Sequence, residues 1–264
     1  MKNKTLWTDT EGKPIQAHGG MILQHKGIYY WYGENKDTET VNRHVDFIGI
    51  SCYSSEDLEN WRNEGIVLSP VVNNPAHMLY TKNICERPRV LYNKSTKQFV
   101  MYTHADTADY YYAGVNVAVA ASPTGPFVWL KSFQPNRQDS RDMTLFQDLD
   151  GSAWLIHSAN YNKTMNIARL SDDYLDVTGS YISIFQDQER EAPAIMYSHN
   201  RYYMITSGCS GWEPNPSLYG ICDHLIGPWK LIDNPCTGPA YRTTFDGQGT
   251  CIFFVQNQPY VLLD

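Results

Sequence analysis

The feature that most constrains this chain is a hairpin written five times along its length. A short apolar strand, a polar turn and an aromatic-rich second strand recur as Gly20–Trp31, Arg89–Tyr102, Met143–Ile156, Ala194–Ile205 and Cys251–Leu262. Between the strands, Lys26-Gly27, Asn93-Lys94-Ser95, Asp150-Gly151 and His199-Asn200 supply residues that tolerate positive φ. A second echo follows the first four hairpins, at Ser54–Trp61, Ser122–Trp129, Ser171–Leu175 and Asp223–Trp229, and each copy ends a third strand and opens a fourth. Four strands repeated at roughly fifty-residue spacing are the signature of a propeller blade, and no amphipathic helical run competes with them. The expectation is therefore an all-β fold, a five-bladed β-propeller spanning residues 1–264 as one domain. Leu68–Lys82, with Pro70, Asn73, Asn74 and Pro75, reads as an inserted loop. The fifth hairpin runs out at Leu263-Asp264, so the last blade is expected to be short or truncated.

A chain of 264 residues, 42% hydrophobic and 19% charged, is long enough for one large all-β domain with a full core. Its net charge of -7 and the absence of Lys/Arg runs argue against nucleic acid or an anionic membrane as partner. No window approaches the ~20 apolar residues of a membrane helix, and Met1–Trp7 lacks the apolar stretch of a secretory signal. Six cysteines show neither CxxC nor metal-ligand spacing and read as buried thiols, with room for a chance disulfide. Nineteen Tyr and seven Trp suit both a β-rich core and stacking on sugar rings.

In each copy a polar residue stands just before the apolar centre of the innermost strand: His18, Glu86, Asp142, Glu191 and Gln248. Equivalent positions of a propeller's innermost strands converge on one channel mouth, so these five side chains are expected to meet. Because a hairpin returns its second strand to the starting face, Glu34, the Tyr102–Asp106 segment, His157–Asn160 and Ser207–Trp212 should end there too. Any one such residue could simply hydrogen-bond a strand end or face solvent; five in register point further. Crowded carboxylates raise one another's pKa toward the range a general acid needs. Glycoside hydrolysis by inversion requires a protonated carboxyl at the leaving oxygen and a water-activating group about 6.5 to 9.5 Å away.

The segments Asp9–Gly20, Trp31–Lys36, Glu86–Val90, Ser140–Phe146, Glu191-Ala192-Pro193 and Gly211–Asn215 resemble glycoside hydrolase family 43, specifically its exo-β-1,3-galactanase branch. The resemblance implies an inverting enzyme in which Glu191 protonates the leaving oxygen. It also implies that Glu86 orients the acid and tunes its pKa. His18 stands where most of the family has an Asp base, and the branch's fifth-blade Gln base maps onto Gln248. Glu34, Tyr110, Asp142, Asn162 and Ser210 are implied galactose contacts together with His18, and Trp212 is an implied stacking platform. No cofactor or catalytic metal is implied; a structural calcium is compatible with some relatives. The implied partner is an oligo- or polysaccharide bound by a monomer, and the implied location is periplasmic or secreted. Three other readings remain: an α-L-arabinofuranosidase or β-xylosidase using Glu34 or His18 on water, a propeller that binds galactan without cutting it, and a protein-interaction propeller. The last of these predicts no carboxylate ring and lacks its Trp-Asp strand endings.

Overall fold

The hairpin turns adopt the backbone that their residues favour. Lys26 and Gly27 (φ 51° and 82°), Gly151 (85°), and His199 and Asn200 (50° and 59°) are left-handed as expected, whereas the second hairpin places its left-handed residue at Lys97 (58°) and not within Asn93-Lys94-Ser95. The computed structural model describes residues 5–41, 44–211 and 213–264. The first four hairpins each acquire two further strands. The first sheet is β1 (His18–His25), β2 (Ile28–Glu34), β5 (Ile50–Ser55) and β6 (Arg62–Leu68), in that order, with a small β3 (Thr40–Val41) and β4 (His44–Val45) ladder inserted between β2 and β5. The second is β7 (Ile84–Asn93), β8 (Gln98–Asp106), β9 (Gly114–Ala120) and β10 (Val128–Phe133). The third is β11 (Met143–Gln147), β12 (Ala153–Ala159), β13 (Thr164–Leu170) and β14 (Val177–Ile184). The fourth is β15 (Arg190–Ser198), β16 (Arg201–Gly208), β17 (Leu218–Cys222) and β18 (Lys230–Leu231).

The expectation of five blades is corrected by this topology. Among the described residues there are four four-stranded blades, and the fifth hairpin, β19 (Gly249–Val255) with β20 (Gln258–Leu263), remains a two-stranded sheet. Next to that hairpin, Asp264 donates its N–H to the Gln248 carbonyl at 3.0 Å and accepts the Gln248 N–H at 2.9 Å.

The chain divides into two compact units, one drawn from Met1–Tyr112 and Asn116–Ser132, the other from Ala113–Val115 and Phe133–Asp264. In the first, Tyr32, Ile50, Cys52 and Leu68 pack with Val90, Phe99, Met101 and Phe127 as a core between the first two sheets. In the second, Ile156, Met165 and Ile167 pack with Ile195, Met204 and Cys222 between the third and fourth. All six cysteines are free; Cys52, Cys85, Cys222 and Cys251 are buried as read, Cys236 is half-buried and Cys209 is exposed. The inserted loop is fastened back by the Val71 N–H on the Leu79 carbonyl and the Phe47 N–H on the Thr81 carbonyl.

One irregularity recurs at the start of the innermost strands. Four residues of β1 (His18 to Met21) face three of β2 (Glu34 to Tyr32), and Glu86–Arg89 against His104–Tyr102 and Glu191–Ala194 against Ser207–Ile205 repeat the mismatch. Each is a β-bulge, an extra residue that bends the strand and re-aims its side chains. The residue after the candidate is left-handed each time: Gly19 at φ 60°, Arg87 at 52° and Ala192 at 52°. β11 pairs with β12 without such a slip, and Asp142 lies just ahead of it.

Close approach also constrains β2. A Cβ at Gly33 would lie 2.1 Å from the backbone carbonyl carbon of Ala17, whereas one at Gly27 would meet nothing within 4 Å. Gly33→Ala should therefore destabilise the fold by about 3 kcal/mol or more through overpacking, and Gly27→Ala by only about 1 kcal/mol through its left-handed φ. Urea unfolding of the two variants checks this; equal costs would contradict it.

Candidate active site

In the first unit the candidates gather around two carboxylates. His18 pairs directly across from Glu34 at the β1–β2 bulge, and Lys36 Nζ lies 2.5 Å from Glu34 Oε2. Burial pushes the Glu34 carboxyl up, and the Glu86 charge adds to this, while Lys36 and His18 act against it; the net direction is upward. Glu86 is bracketed by donors. His104 Nδ1 lies 3.2 Å from its Oε2, and the Tyr110 hydroxyl donates to its Oε1 at 2.9 Å. The far ring nitrogen of His104 lies 3.3 Å from Asp106 Oδ2, with His104 and Asp106 buried at 2% and 0% exposure. Burial works against the Glu86 charge, but His104, Lys36 and the Tyr110 hydroxyl outweigh it and hold the carboxyl at about 2. Burial likewise works against charge on His104, and its two carboxylate neighbours overcome it, raising the imidazole to about 9. Glu86 is therefore a fixed anion, suited to accept hydrogen bonds and to impose negative charge, and unsuited to donate a proton.

In the second unit Asp142, Asn162, Glu191 and Gln248 come together. Glu191 opens β15 opposite Ser207, and the bulge after it is pinned by the Ala192 N–H on Asp142 Oδ2 at 3.1 Å. Gln248 Nε2 donates to Glu191 Oε1 at 3.1 Å and Asn162 Nδ2 to Oε2 at 3.2 Å. Gln248 Nε2 also reaches Ser207 Oγ at 3.2 Å. Inversion puts a water-sized gap between acid and base, whereas here the amide of Gln248 touches the carboxyl of Glu191 directly. Ser210 faces its own loop, donating to the Glu213 carbonyl at 2.5 Å and accepting from Asn215 Nδ2 at 2.6 Å. Trp212 lies outside the described residues. Among the described residues no group of three His, Cys, Asp or Glu side chains is placed to hold a metal ion.

Two contributors lie in segments the sequence brought forward but were not singled out as site residues. The pairing of His104 with Asp106 was visible as a same-face i, i+2 spacing on a strand. Asn215, which clamps Gly208 through its N–H at 2.7 Å and its carbonyl at 3.0 Å, carried no spacing signal that separates it from other loop amides.

The buried His104 predicts a specific pH behaviour. Its pKa is raised on folding, so its contribution to stability is complete below the ordinary histidine value near 6.5 and is lost as pH rises through about 9. Across that window the unfolding free energy should fall, by at most about 1.4 kcal/mol per pH unit. NMR of the imidazole rings should show one of the eight histidines still protonated at pH 8, and Glu86→Gln should lower its midpoint. All eight titrating at or below the ordinary value would remove the ion triad.

With this geometry in place, comparison with known proteins is informative. The family model "Glycosyl hydrolases family 43" matches residues 13–252. A family 43 β-1,3-galactosidase solved with galactodeoxynojirimycin is 38% identical, with a TM-score of 0.94 over 100% of this chain and 90% of that one. The exo-β-1,3-galactanase of Phanerochaete chrysosporium solved with galactose is 35% identical, with a TM-score of 0.90 over 100% of this chain and 60% of that one. A β-D-galactofuranosidase of Aspergillus niger is 22% identical over 80% of this chain and 66% of its own length, so the chain spans about two thirds or less of both fungal proteins. A family match over most of the chain, and 38% identity along the whole of it, establish that this protein belongs to glycosyl hydrolases family 43 and is a glycoside hydrolase.

Proposed function

We propose that this protein is an inverting, exo-acting hydrolase that releases galactose from β-1,3-galactan, a reading supported by its similarity to a β-1,3-galactosidase and an exo-β-1,3-galactanase. The observation that carries the proposal is the Glu191 carboxyl, aimed by a bulge and flanked on its two oxygens by the neutral amides of Gln248 and Asn162. Neutral amides hold a carboxyl in place without the charge penalty on protonation that a lysine or arginine would impose. A turn of the Gln248 amide about its last torsion would present its oxygen in place of its nitrogen, an acceptor for the proton of Glu191. As the glycosidic bond breaks, that proton passes to the leaving oxygen and water attacks the anomeric carbon from the opposite face.

Entry of a galactose unit separates Gln248 from Glu191 and leaves the amide to orient or deprotonate that water. A neutral amide has almost no basicity, so proton acceptance needs the imidic tautomer. Glu86, a fixed anion, serves the reaction electrostatically and not as a donor. A second reading has Glu34 activating the water, since burial moves its carboxyl toward the range of a working base. Its ion pair with Lys36 at 2.5 Å opposes that role.

Proton NMR of the first turnover on β-1,3-galactotriose should show α-galactose. Glu191→Gln should lose about 10²- to 10⁴-fold in kcat while staying folded. Gln248→Ala should abolish turnover yet bind galactose, because what it loses is confined to the transition state. An active Gln248→Ala beside a dead Glu34→Gln would move water activation to Glu34, and release of β-galactose would overturn inversion.

A further inference from the structure

The turn between β12 and β13 holds an exposed aromatic ring unusually firmly. Tyr161 is 77% exposed, and an exposed tyrosine on a surface turn is ordinarily free to change rotamer. Here Asn160, Tyr161 and Asn162 are three consecutive left-handed residues with φ of 51°, 54° and 64°. That conformation costs a non-glycine residue roughly 1–2 kcal/mol and persists only where neighbours over-determine it. Asp139 does so: its two oxygens accept the Asn160 N–H at 2.6 Å and the Tyr161 N–H at 2.9 Å. The same carboxylate lies 3.9 Å from Arg141 Nε, and the Arg141 guanidinium carbon sits 5.5 Å from the centre of the Tyr161 ring. Backbone and ring are thus fixed from one side, and the ring remains open to solvent.

The turn is also fastened to the proposed acid. Asn162, the next residue, donates to Glu191 Oε2 at 3.2 Å, and its own Oδ1 is buried without a hydrogen-bond partner. An unsatisfied buried acceptor suits a donor supplied by a ligand, such as a sugar hydroxyl. Galactose carries an axial 4-hydroxyl, which leaves C–H bonds clustered on one ring face as an apolar patch that packs on an aromatic ring.

We propose that Tyr161 is a stacking platform for a galactose unit on the leaving-group side of the scissile bond, oriented by Arg141 and Asp139 and placed beside Glu191 through Asn162. The inference rests on the galactan-cleaving reading above and extends it to the part of the chain that departs. It makes Tyr161 a determinant of preference for a sugar leaving group over a small one.

The test compares β-1,3-galactotriose, whose leaving group is a sugar, with β-galactosyl fluoride, whose leaving group is a single atom. In Tyr161→Ala the ratio of kcat/KM for the trisaccharide to that for the fluoride should fall about tenfold, the size of one aromatic contact; Tyr161→Phe should restore it. Calorimetry in a Glu191→Gln background should show galactotriose binding weakened by a similar factor when Tyr161→Ala is added. An unchanged ratio, or the same proportional loss on both substrates, overturns the platform. If the unmodified enzyme cleaves the fluoride but not the trisaccharide, the galactan reading fails and this inference fails with it.

Discussion

One extra residue in the innermost strand decides where the reactive side chains of this protein point. A regular strand would alternate its side chains between the two faces of the sheet, sending a carboxylate at its entrance into the inter-sheet core or along the blade. The bulges at His18, Glu86 and Glu191 interrupt that alternation, and the left-handed residue that follows each one fixes the new direction. At Gly19 this conformation is free of a Cβ penalty. Arg87 and Ala192 accept one, and for Ala192 the strained peptide is held by the Asp142 carboxylate on its N–H. The strain therefore sits beside the residues that carry chemistry, and the well-packed cores of the two units are what can sustain it.

The two aimed carboxylates have been given opposite surroundings. Glu86 meets a buried imidazolium and a phenol, and Asp106 behind His104 keeps that imidazolium charged, so the proton is driven off the carboxyl. Glu191 meets neutral amides on both oxygens. The guanidinium of Arg190, its neighbour in sequence, donates to the hydroxyl and carbonyl of Thr206 and acts on Glu191 through its charge alone. Charged neighbours shift a proton equilibrium strongly, and neutral donors shift it less. The proposed reaction gives the two carboxylates different tasks, Glu86 as a fixed anion and Glu191 as the acid.

Much of this was legible in the sequence because strand periodicity and turn chemistry are local. The five hairpins, the left-handed residues at Lys26-Gly27 and His199-Asn200, and the link from third to fourth strand at Ser54–Trp61 follow from neighbouring residues alone. The gathering of Glu34 with Glu86 and of Glu191 with Asp142 followed from register, whereas Asn162 beside Glu191 was implied only by the family resemblance. The blade count was misjudged because the fifth hairpin, Cys251–Leu262, was counted as a blade although the two outer strands that join the other four hairpins are not seen beside it. The bulges could not be foreseen either, since Glu86-Arg87-Pro88 and Glu191-Ala192-Pro193 lack the glycine that usually advertises one. That Gln248 and Glu191, 57 residues apart, come together was expected from their equivalent places at the strand entrances; that the amide bonds the carboxyl directly, with no gap between them, was not.

The account turns on Glu191 and Gln248 working from opposite sides of one sugar, and the most direct measurement is a crystal structure of Glu191→Gln with β-1,3-galactotriose bound. The expected result is residue 191 within hydrogen-bond distance of the glycosidic oxygen, with the Gln248 amide moved away from it and holding a water beneath the anomeric carbon. Gln248 still bonded to residue 191 with the trisaccharide in place, and the attacking water held by another group, would contradict it.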